Sequence, residues 1–95
     1  MNSITRILLV DDDTTALSLM KELLSGRGFQ VTTAESVDEA LKELETTAFP
    51  VVVSDLRMPN RSGMDLLEIC VDKYPETAVI LITGHGTIRN AVEAL

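Results

Sequence analysis

The chain has 95 residues, the length of one small domain, which leaves no room for a multidomain enzyme. Hydrophobic residues make up 45% of it and charged residues 24%, a balance typical of a chain that folds rather than of a disordered tail. The 15 acidic residues outnumber the 8 basic ones, and the formal net charge of -7 argues against direct binding of nucleic acid.

Cysteine use and apolar runs indicate the compartment. Cys70 is the only cysteine and His85 the only histidine, so the chain can form neither an internal disulfide nor a zinc cluster of these residues. The N-terminal apolar run stops at Asp11, too early for a signal peptide. No apolar stretch approaches the roughly 20 residues that span a bilayer. We therefore expect a soluble, cytoplasmic protein without membrane contacts.

The first part of the chain alternates predicted strands and helices. Residues 7–10 form an unbroken apolar run, which is typical of a central strand covered on both faces. An apolar stripe of helical period covers residues 17–24, and Gly26 is placed to end that helix in the left-handed conformation. Residues 29–34 alternate apolar and polar side chains, as expected of a strand nearer the edge of a sheet.

The second part repeats this alternation. Ser36 and Glu39 have the spacing of a capping box before a second helical stripe over residues 37–44, and residues 51–53 form a second apolar strand. Ser62 and Asp65 are likewise placed to cap a third helix. Its apolar stripe comprises Met64, Leu67, Cys70 and Val71; an apolar strand over 79–82 and the start of a helical stripe over 88–95 follow it.

Regular alternation of strand and helix predicts right-handed crossovers and a parallel α/β sheet with helices on both faces. A strand as apolar as residues 79–82 is poorly suited to a sheet edge, because its free backbone groups invite pairing with another chain. We therefore expect residues 1–95 to be the front part of a longer domain, or to cover this edge by forming a homodimer or a swapped oligomer.

Acidic residues directly follow two of the predicted central strands. Asp11, Asp12 and Asp13 follow the strand over residues 7–10. Asp55 follows the strand over residues 51–53, the third strand along the chain, with Ser54 between. Ligands of open parallel sheets bind at the carboxyl ends of the strands, so these carboxylates converge if the two strands are neighbours. Their repulsion favours a bound cation, and an all-oxygen site suits Mg²⁺ together with a phosphate group. Asp13 alone is more simply interpreted as a helix N-cap.

Three segments resemble, in order and in spacing, the signature blocks of receiver domains of bacterial two-component response regulators. The resemblance runs from Ile4 to the last residue. It implies a flavodoxin-like, doubly wound parallel sheet of order 2-1-3-4-5, here lacking the fifth strand and last helix, so that residues 1–95 are a receiver domain incomplete at its C-terminus. The blocks are Leu9-Val10-Asp11-Asp12-Asp13, Ser54-Asp55-Leu56-Arg57-Met58-Pro59 with Gly63, and Leu81-Ile82-Thr83-Gly84.

The same resemblance implies a role for each matching residue. Asp55 is the position that accepts a phosphoryl group from a sensor histidine kinase, and Asp11 and Asp12 are the acidic pair that binds Mg²⁺. The backbone carbonyl of Arg57 is a further metal ligand, and Thr83 is the switch hydroxyl that moves toward the phosphoryl group. Such a domain is a signalling module that catalyses only its own phosphorylation and dephosphorylation. Residues 82–86 are similar to regulators that control transcription through appended ATPase and DNA-binding parts.

Two other interpretations stay open at the level of sequence. Residues 8–15 also fit the D-x-D-x-T pattern of haloacid-dehalogenase-like phosphohydrolases, with Asp11 as nucleophile, Asp13 as acid and base, and Ser54 or Thr83 as a second hydroxyl. Alternatively, the chain is an interaction module that has kept the fold and lost phosphorylation. Mapping of a phosphoryl label separates the first alternative from a receiver, and Mg²⁺ titration separates the second.

Overall fold

The structure is a computed structural model and describes residues 4–82. Thr83, His85 and the helix predicted over 88–95 lie outside this range. Within it no helix is both long and apolar enough to cross a membrane. The elements in chain order are β1 (Arg6–Val10), α1 (Thr14–Ser25), β2 (Gln30–Ala34), α2 (Val37–Thr46), β3 (Val51–Asp55), α3 (Gly63–Lys73) and β4 (Ala78–Ile82).

The four strands form one parallel sheet in the order β2-β1-β3-β4, which confirms the predicted topology for the strands described. β1 and β3 are central, and the alternating strand β2 lies at an edge, as expected. β4 lies at the other edge of the described strands, although its apolar run is typical of a central position. The register pairs Val10 with Ser54, so the carboxyl ends of β1 and β3 lie side by side.

Helices cover both faces of the sheet. The larger core joins the sheet to α2 and α3 and contains Leu8, Val52 and Leu66, all 0% exposed. A smaller core joins α1 to the opposite face through Leu9 and Leu17. Because side chains alternate along a strand, Ser54 points with Val52 toward the larger core, whereas Asp55 lies on the α1 face.

The end of α1 differs from the prediction. Gly26 caps the helix with φ -64°, in the right-handed region, and the left-handed residue is Gly28, with φ 93°. The amide of Arg27 donates to the carbonyl of Leu24, and that of Gly28 donates to Ser25. The last helical turn therefore continues as a tight turn, and the chain reverses direction two residues later than its composition indicates.

The capping box predicted for α2 and the cap predicted for α3 have different outcomes. At α3 the box is complete, because the Ser62 hydroxyl accepts from the amide of Asp65 and the Asp65 carboxylate accepts from the amide of Ser62 at 2.8 Å. At α2 the prediction was half wrong. The Ser36 hydroxyl accepts from the amide of Glu39 at 3.1 Å, but the Glu39 carboxylate accepts from Glu35 instead of Ser36.

The buried stripe of α3 is rotated relative to the prediction. Val71 is 64% exposed, whereas Leu66, which the predicted stripe omits, is 0% exposed. The buried positions follow the spacing i, i+3, i+4, i+7 and are Gly63, Leu66, Leu67 and Cys70. Apolar spacing alone fits two neighbouring stripes, and the contact of the helix start with the sheet selects between them.

Candidate functional site

Three carboxylates meet where β1 and β3 end. Oxygen atoms of Asp11, Asp12 and Asp55 all lie within 4.8 Å of one another. Asp11 and Asp55 are half-buried and Asp12 is exposed. They line a cleft of about 460 Å³ whose apolar wall includes Leu9 and Met20. The structure thus brings together three of the four aspartates that the sequence placed after the first and third strands, and Asp13 is not among them.

The loop after β1 is shaped by its own acidic residues. The amide of Asp11 donates to the carbonyl of Ala34 at 3.1 Å, which extends the pairing with β2 by one bond. One oxygen of the Asp11 carboxylate accepts from the amide of Asp13 at 2.9 Å. This local turn, of the type that aspartate favours, holds the Asp11 side chain toward the cleft and positions the next two residues.

Asp13 has a different task from its two neighbours. Its carboxylate accepts from the amides of Thr15 at 3.0 Å and Ala16 at 3.1 Å and so caps α1. It is not part of the group of three carboxylates. The N-cap interpretation of Asp13 is confirmed, and one of its oxygens, Oδ1, accepts both bonds that hold the helix start.

The site is electrostatically short of positive charge. Burial raises the pKa of Asp11, and the charges of Asp55 and Asp12 raise it further, against the hydrogen bond from Asp13. Burial also raises the pKa of Asp55, with the charge of Asp12 adding to it, whereas the backbone N–H groups of Arg57 and Leu56 and the charge of Arg57 lower it. Neighbouring carboxylates therefore destabilise one another's ionised forms.

The charge of Arg57 lowers the pKa of Asp55 but forms no ion pair with the cluster. Within residues 4–82 the ion pair is the exposed one between Arg61 and Asp38, at 3.0 Å, and no lysine or arginine pairs with the three clustered carboxylates. Three hard oxygen ligands in a small open site fit Mg²⁺, which takes few protein ligands and keeps several waters. Arg57 is exposed two residues after Asp55, where its backbone carbonyl could add a fourth oxygen.

The main chain after Asp55 is tied to two other elements, which sequence reasoning missed. The amide of Leu56 donates to the carbonyl of Ile82 at 2.8 Å, and the carbonyl of Leu56 accepts from the amide of Gly63 at 2.9 Å. Ser54, weighed from sequence only as a phosphohydrolase hydroxyl, is 0% exposed and donates to the carbonyl of Asp55 at 2.9 Å. The sequence did contain a signal for the burial of Ser54: it lies two residues after Val52 in an apolar strand, so both side chains point to the same face of the sheet.

Two full-length regulatory proteins are similar to this chain. The acid tolerance regulatory protein ActR of Rhizobium meliloti (strain 1021) is 38% identical over 89 residues, which are 94% of this chain and 46% of ActR. The transcriptional regulatory protein GlrR of Escherichia coli (strain K12) is 42% identical over 88 residues, 93% of this chain and 20% of GlrR. The chain therefore spans less than half the length of these curated relatives.

A solved structure resembles the fold closely. The response regulator protein TrrA of Thermotoga maritima, in complex with Mg²⁺-BeF, has a TM-score of 0.82 and 32% identity, covering 96% of this chain and 81% of TrrA. TrrA has also been solved in complex with the histidine kinase ThkA, with a TM-score of 0.84, 32% identity, and coverage of 96% of this chain and 80% of the matched chain.

The family comparison agrees with the fold and with the acidic cluster. The model of the response regulator receiver domain family matches residues 7–95. The sheet order β2-β1-β3-β4 is that of the receiver fold up to its fourth strand, as the resemblance implied. The clustered carboxylates belong to Asp11, Asp12 and Asp55, three of the four aspartates that the signature blocks contain. The chain belongs to the response regulator receiver domain family.

Proposed function

We propose that this chain is the phosphoacceptor module of a two-component phosphorelay, in which Asp55 accepts a phosphoryl group from a sensor histidine kinase in a Mg²⁺-dependent reaction. The observation that carries this proposal is the convergence of Asp11, Asp12 and Asp55 within 4.8 Å. The complexes of TrrA with Mg²⁺-BeF and with a histidine kinase support it by similarity.

The carboxylates of Asp11, Asp12 and Asp55 and the backbone carbonyl of Arg57 are the groups that would hold the ion. When bound, Mg²⁺ offsets the repulsion among the carboxylates and stabilises negative charge on the phosphoryl oxygens. These residues suit Mg²⁺ for two reasons. All the ligand atoms are oxygens, and no basic side chain of the described residues forms an ion pair with the three carboxylates.

Asp55 would act as the nucleophile. One of its carboxylate oxygens forms a bond to phosphorus while the bond between phosphorus and the kinase histidine nitrogen breaks, and the electron pair stays on that nitrogen. Phosphoryl transfer needs mostly positioning and charge stabilisation. Asp55 lies at the end of a central strand, and its next peptide is fixed by the bond from Leu56 to Ile82, so the nucleophile is held on a rigid element.

Phosphorylation would replace a carboxylate by a dianionic group, and this added charge can bias a nearby loop between two packings. Thr83, which directly follows β4, is proposed as the hydroxyl that moves toward that group; it lies outside the residues that the structure describes. The output of the whole protein is proposed to be transcriptional control, in line with the name of the relative GlrR.

Acetyl phosphate with Mg²⁺, followed by peptide mapping in a mass spectrometer, tests the proposal. We expect the label on Asp55 in the wild-type chain and no label in Asp55→Asn, which keeps the side-chain shape without the nucleophile. Asp13→Asn is the matched control: asparagine caps a helix as well as aspartate, so this variant should still be labelled.

The same experiment tests the phosphohydrolase alternative. That mechanism requires Asp13 as acid and base, but Asp13 caps α1, and Ser54 points into the core on the other face of the sheet. Label on Asp11, loss of labelling in Asp13→Asn, or turnover of many equivalents of a phosphomonoester would contradict the receiver proposal. For the degenerate-module alternative, Mg²⁺ titration followed by backbone NMR should show no saturable shifts at Asp11, Asp12 and Asp55.

We also propose that two or more copies of the chain associate through the edge of β4. β4 is an edge of the sheet among the strands described, and Val79 and Leu81 are buried while Ile80 and Ile82 are only half-buried. Apolar edge strands favour pairing with another chain. Light scattering over a range of concentrations should show a homodimer or larger oligomer of this 95-residue chain, and a monomer throughout would contradict it.

A further inference from the structure

Ser54 is the one polar residue that is buried among residues 4–82. Its neighbour Asp55 faces the acidic cleft, whereas Ser54 enters the core between the sheet and α3. A hydroxyl in an apolar core destabilises the fold unless it forms hydrogen bonds, and a small apolar residue would fill the same space. Its presence beside the proposed phosphoacceptor therefore calls for a physical reason.

The hydroxyl of Ser54 donates a hydrogen bond to the backbone carbonyl of Asp55 at 2.9 Å. The other end of the same peptide group is also held, because the amide of Leu56 donates to the carbonyl of Ile82 at 2.8 Å. The carbonyl of Leu56 in turn accepts from the amide of Gly63 at 2.9 Å. Three hydrogen bonds thus fix the main chain at the point where β3 ends.

We infer that Ser54 is a positioning residue for the phosphoacceptor site. Its buried hydroxyl fixes the peptide group between Asp55 and Leu56, and so sets the direction of the Asp55 carboxylate and of the Arg57 carbonyl toward a shared cation. This inference rests on the proposed function. Ser54 acts from the opposite face of the sheet through the main chain, and it is the hydrogen bond that matters rather than the volume of the side chain.

Four variants distinguish the effect of losing the Ser54 hydrogen bond from the effect of losing packing in the core. Ser54→Ala removes the donor, Ser54→Cys keeps a similar volume with a weaker donor, and Ser54→Thr keeps the hydroxyl. The matched control is Val52→Ala, which removes packing at a position on the same face of β3 that is also 0% exposed. Circular dichroism establishes that each variant is folded under the conditions of measurement.

Three measurements are made on each protein: the ¹³C resonance of the Asp55 carbonyl without metal, the affinity for Mg²⁺ by calorimetry, and the rate of Asp55 labelling by acetyl phosphate. In Ser54→Ala we expect a shifted carbonyl resonance, about tenfold weaker Mg²⁺ binding and slower labelling, the size seen when a group that orients a metal ligand is removed. Ser54→Thr should restore all three, and Ser54→Cys should lie between.

Val52→Ala should keep the wild-type Mg²⁺ affinity and labelling rate although it loses stability. The inference is overturned if Ser54→Ala binds Mg²⁺ and is labelled as the wild type is, or if Val52→Ala weakens both as strongly as Ser54→Ala does. Failure of the proposed function is distinguishable, since it appears as the absence of label on Asp55 in the wild-type chain itself.

Discussion

Gly63 lies so close to Asp55 that a β-carbon at position 63 would stand 2.5 Å from the carbonyl oxygen of Asp55. The next nearest atoms, the α-carbon of Leu56 and a methyl group of Leu81, would both be 3.1 Å away. The start of α3 is therefore in direct contact with the end of β3. Only glycine permits this approach, and the reason is space rather than an unusual backbone conformation.

We expect Gly63→Ala to destabilise the protein by about 1–3 kcal/mol, because the nearest atom is backbone and cannot rotate away. The Asp55 carbonyl must move, so Mg²⁺ affinity should fall as well. Gly26→Ala is the matched control: its β-carbon would meet only ordinary contacts of 3.4 and 3.5 Å. Urea unfolding and calorimetry measure both effects, and equal stability of the two variants would contradict this account.

Asp12→Asn should stabilise the metal-free protein at neutral pH. The pKa values of Asp11 and Asp55 are raised from 3.8, so the folded state binds protons at a higher pH than the unfolded chain does. The free energy of unfolding therefore falls as the pH rises through that window and stays reduced above it. Removing the Asp12 charge removes its repulsion of the Asp11 and Asp55 carboxylates. After solvent screening we expect the free energy of unfolding to rise by a few tenths to about 1 kcal/mol.

Thermal unfolding with and without Mg²⁺ checks this expectation. Without Mg²⁺ the gain from Asp12→Asn should be present at pH 7 and should shrink as the pH falls, because burial and the Asp12 charge raise the pKa values of Asp11 and Asp55, so both become protonated in the folded state before they do in the unfolded chain. Added Mg²⁺ should stabilise the wild type more than the variant. Asp13 lies outside the cluster, and its charge raises the pKa of Asp11 less than that of Asp12 does, so Asp13→Asn should give a smaller gain. A gain as large as that of Asp12→Asn would contradict the cluster as the cause.

Ser62→Ala should cost about 1 kcal/mol of stability through loss of the α3 cap. The Ser62 hydroxyl satisfies the amide of Asp65, and the variant leaves that amide without its partner at the helix start that touches β3. Chemical denaturation measures the loss. Ser62→Thr, which retains a capping hydroxyl, should lose less, and equal losses in the two variants would show that the cap is not the cause.

Leu66→Ala and Val71→Ala should differ widely although both remove an apolar side chain from α3. Leu66 is 0% exposed, so its truncation should cost about 2–5 kcal/mol, whereas Val71 is 64% exposed and its truncation should stay within about 0.5 kcal/mol. Urea unfolding of both variants provides the measurement. Similar losses in the two would contradict the rotation of α3 found in the structure.

Apolar runs of β-branched residues determined the strands, and their alternation with helical stripes determined the parallel sheet, because these patterns depend only on neighbours in the sequence. The acidic residues after the first and third strands could also be assigned to one crevice. That step needed only the rule that parallel strands end at the same edge of the sheet. The family resemblance then named the residues that should accept phosphorus and bind metal.

The tertiary structure decided what depends on contacts between distant segments. It selected Leu66 over Val71 as the buried side chain of α3, since apolar spacing fits both faces and only packing against the sheet chooses one. It engaged Asp13 in capping while its two neighbours turned toward Asp55. It also showed why Ser54 and Gly63 stand beside the site: both act at the carbonyl oxygen of Asp55, and the approach of α3 to the end of β3 depends on segments that are distant in the sequence.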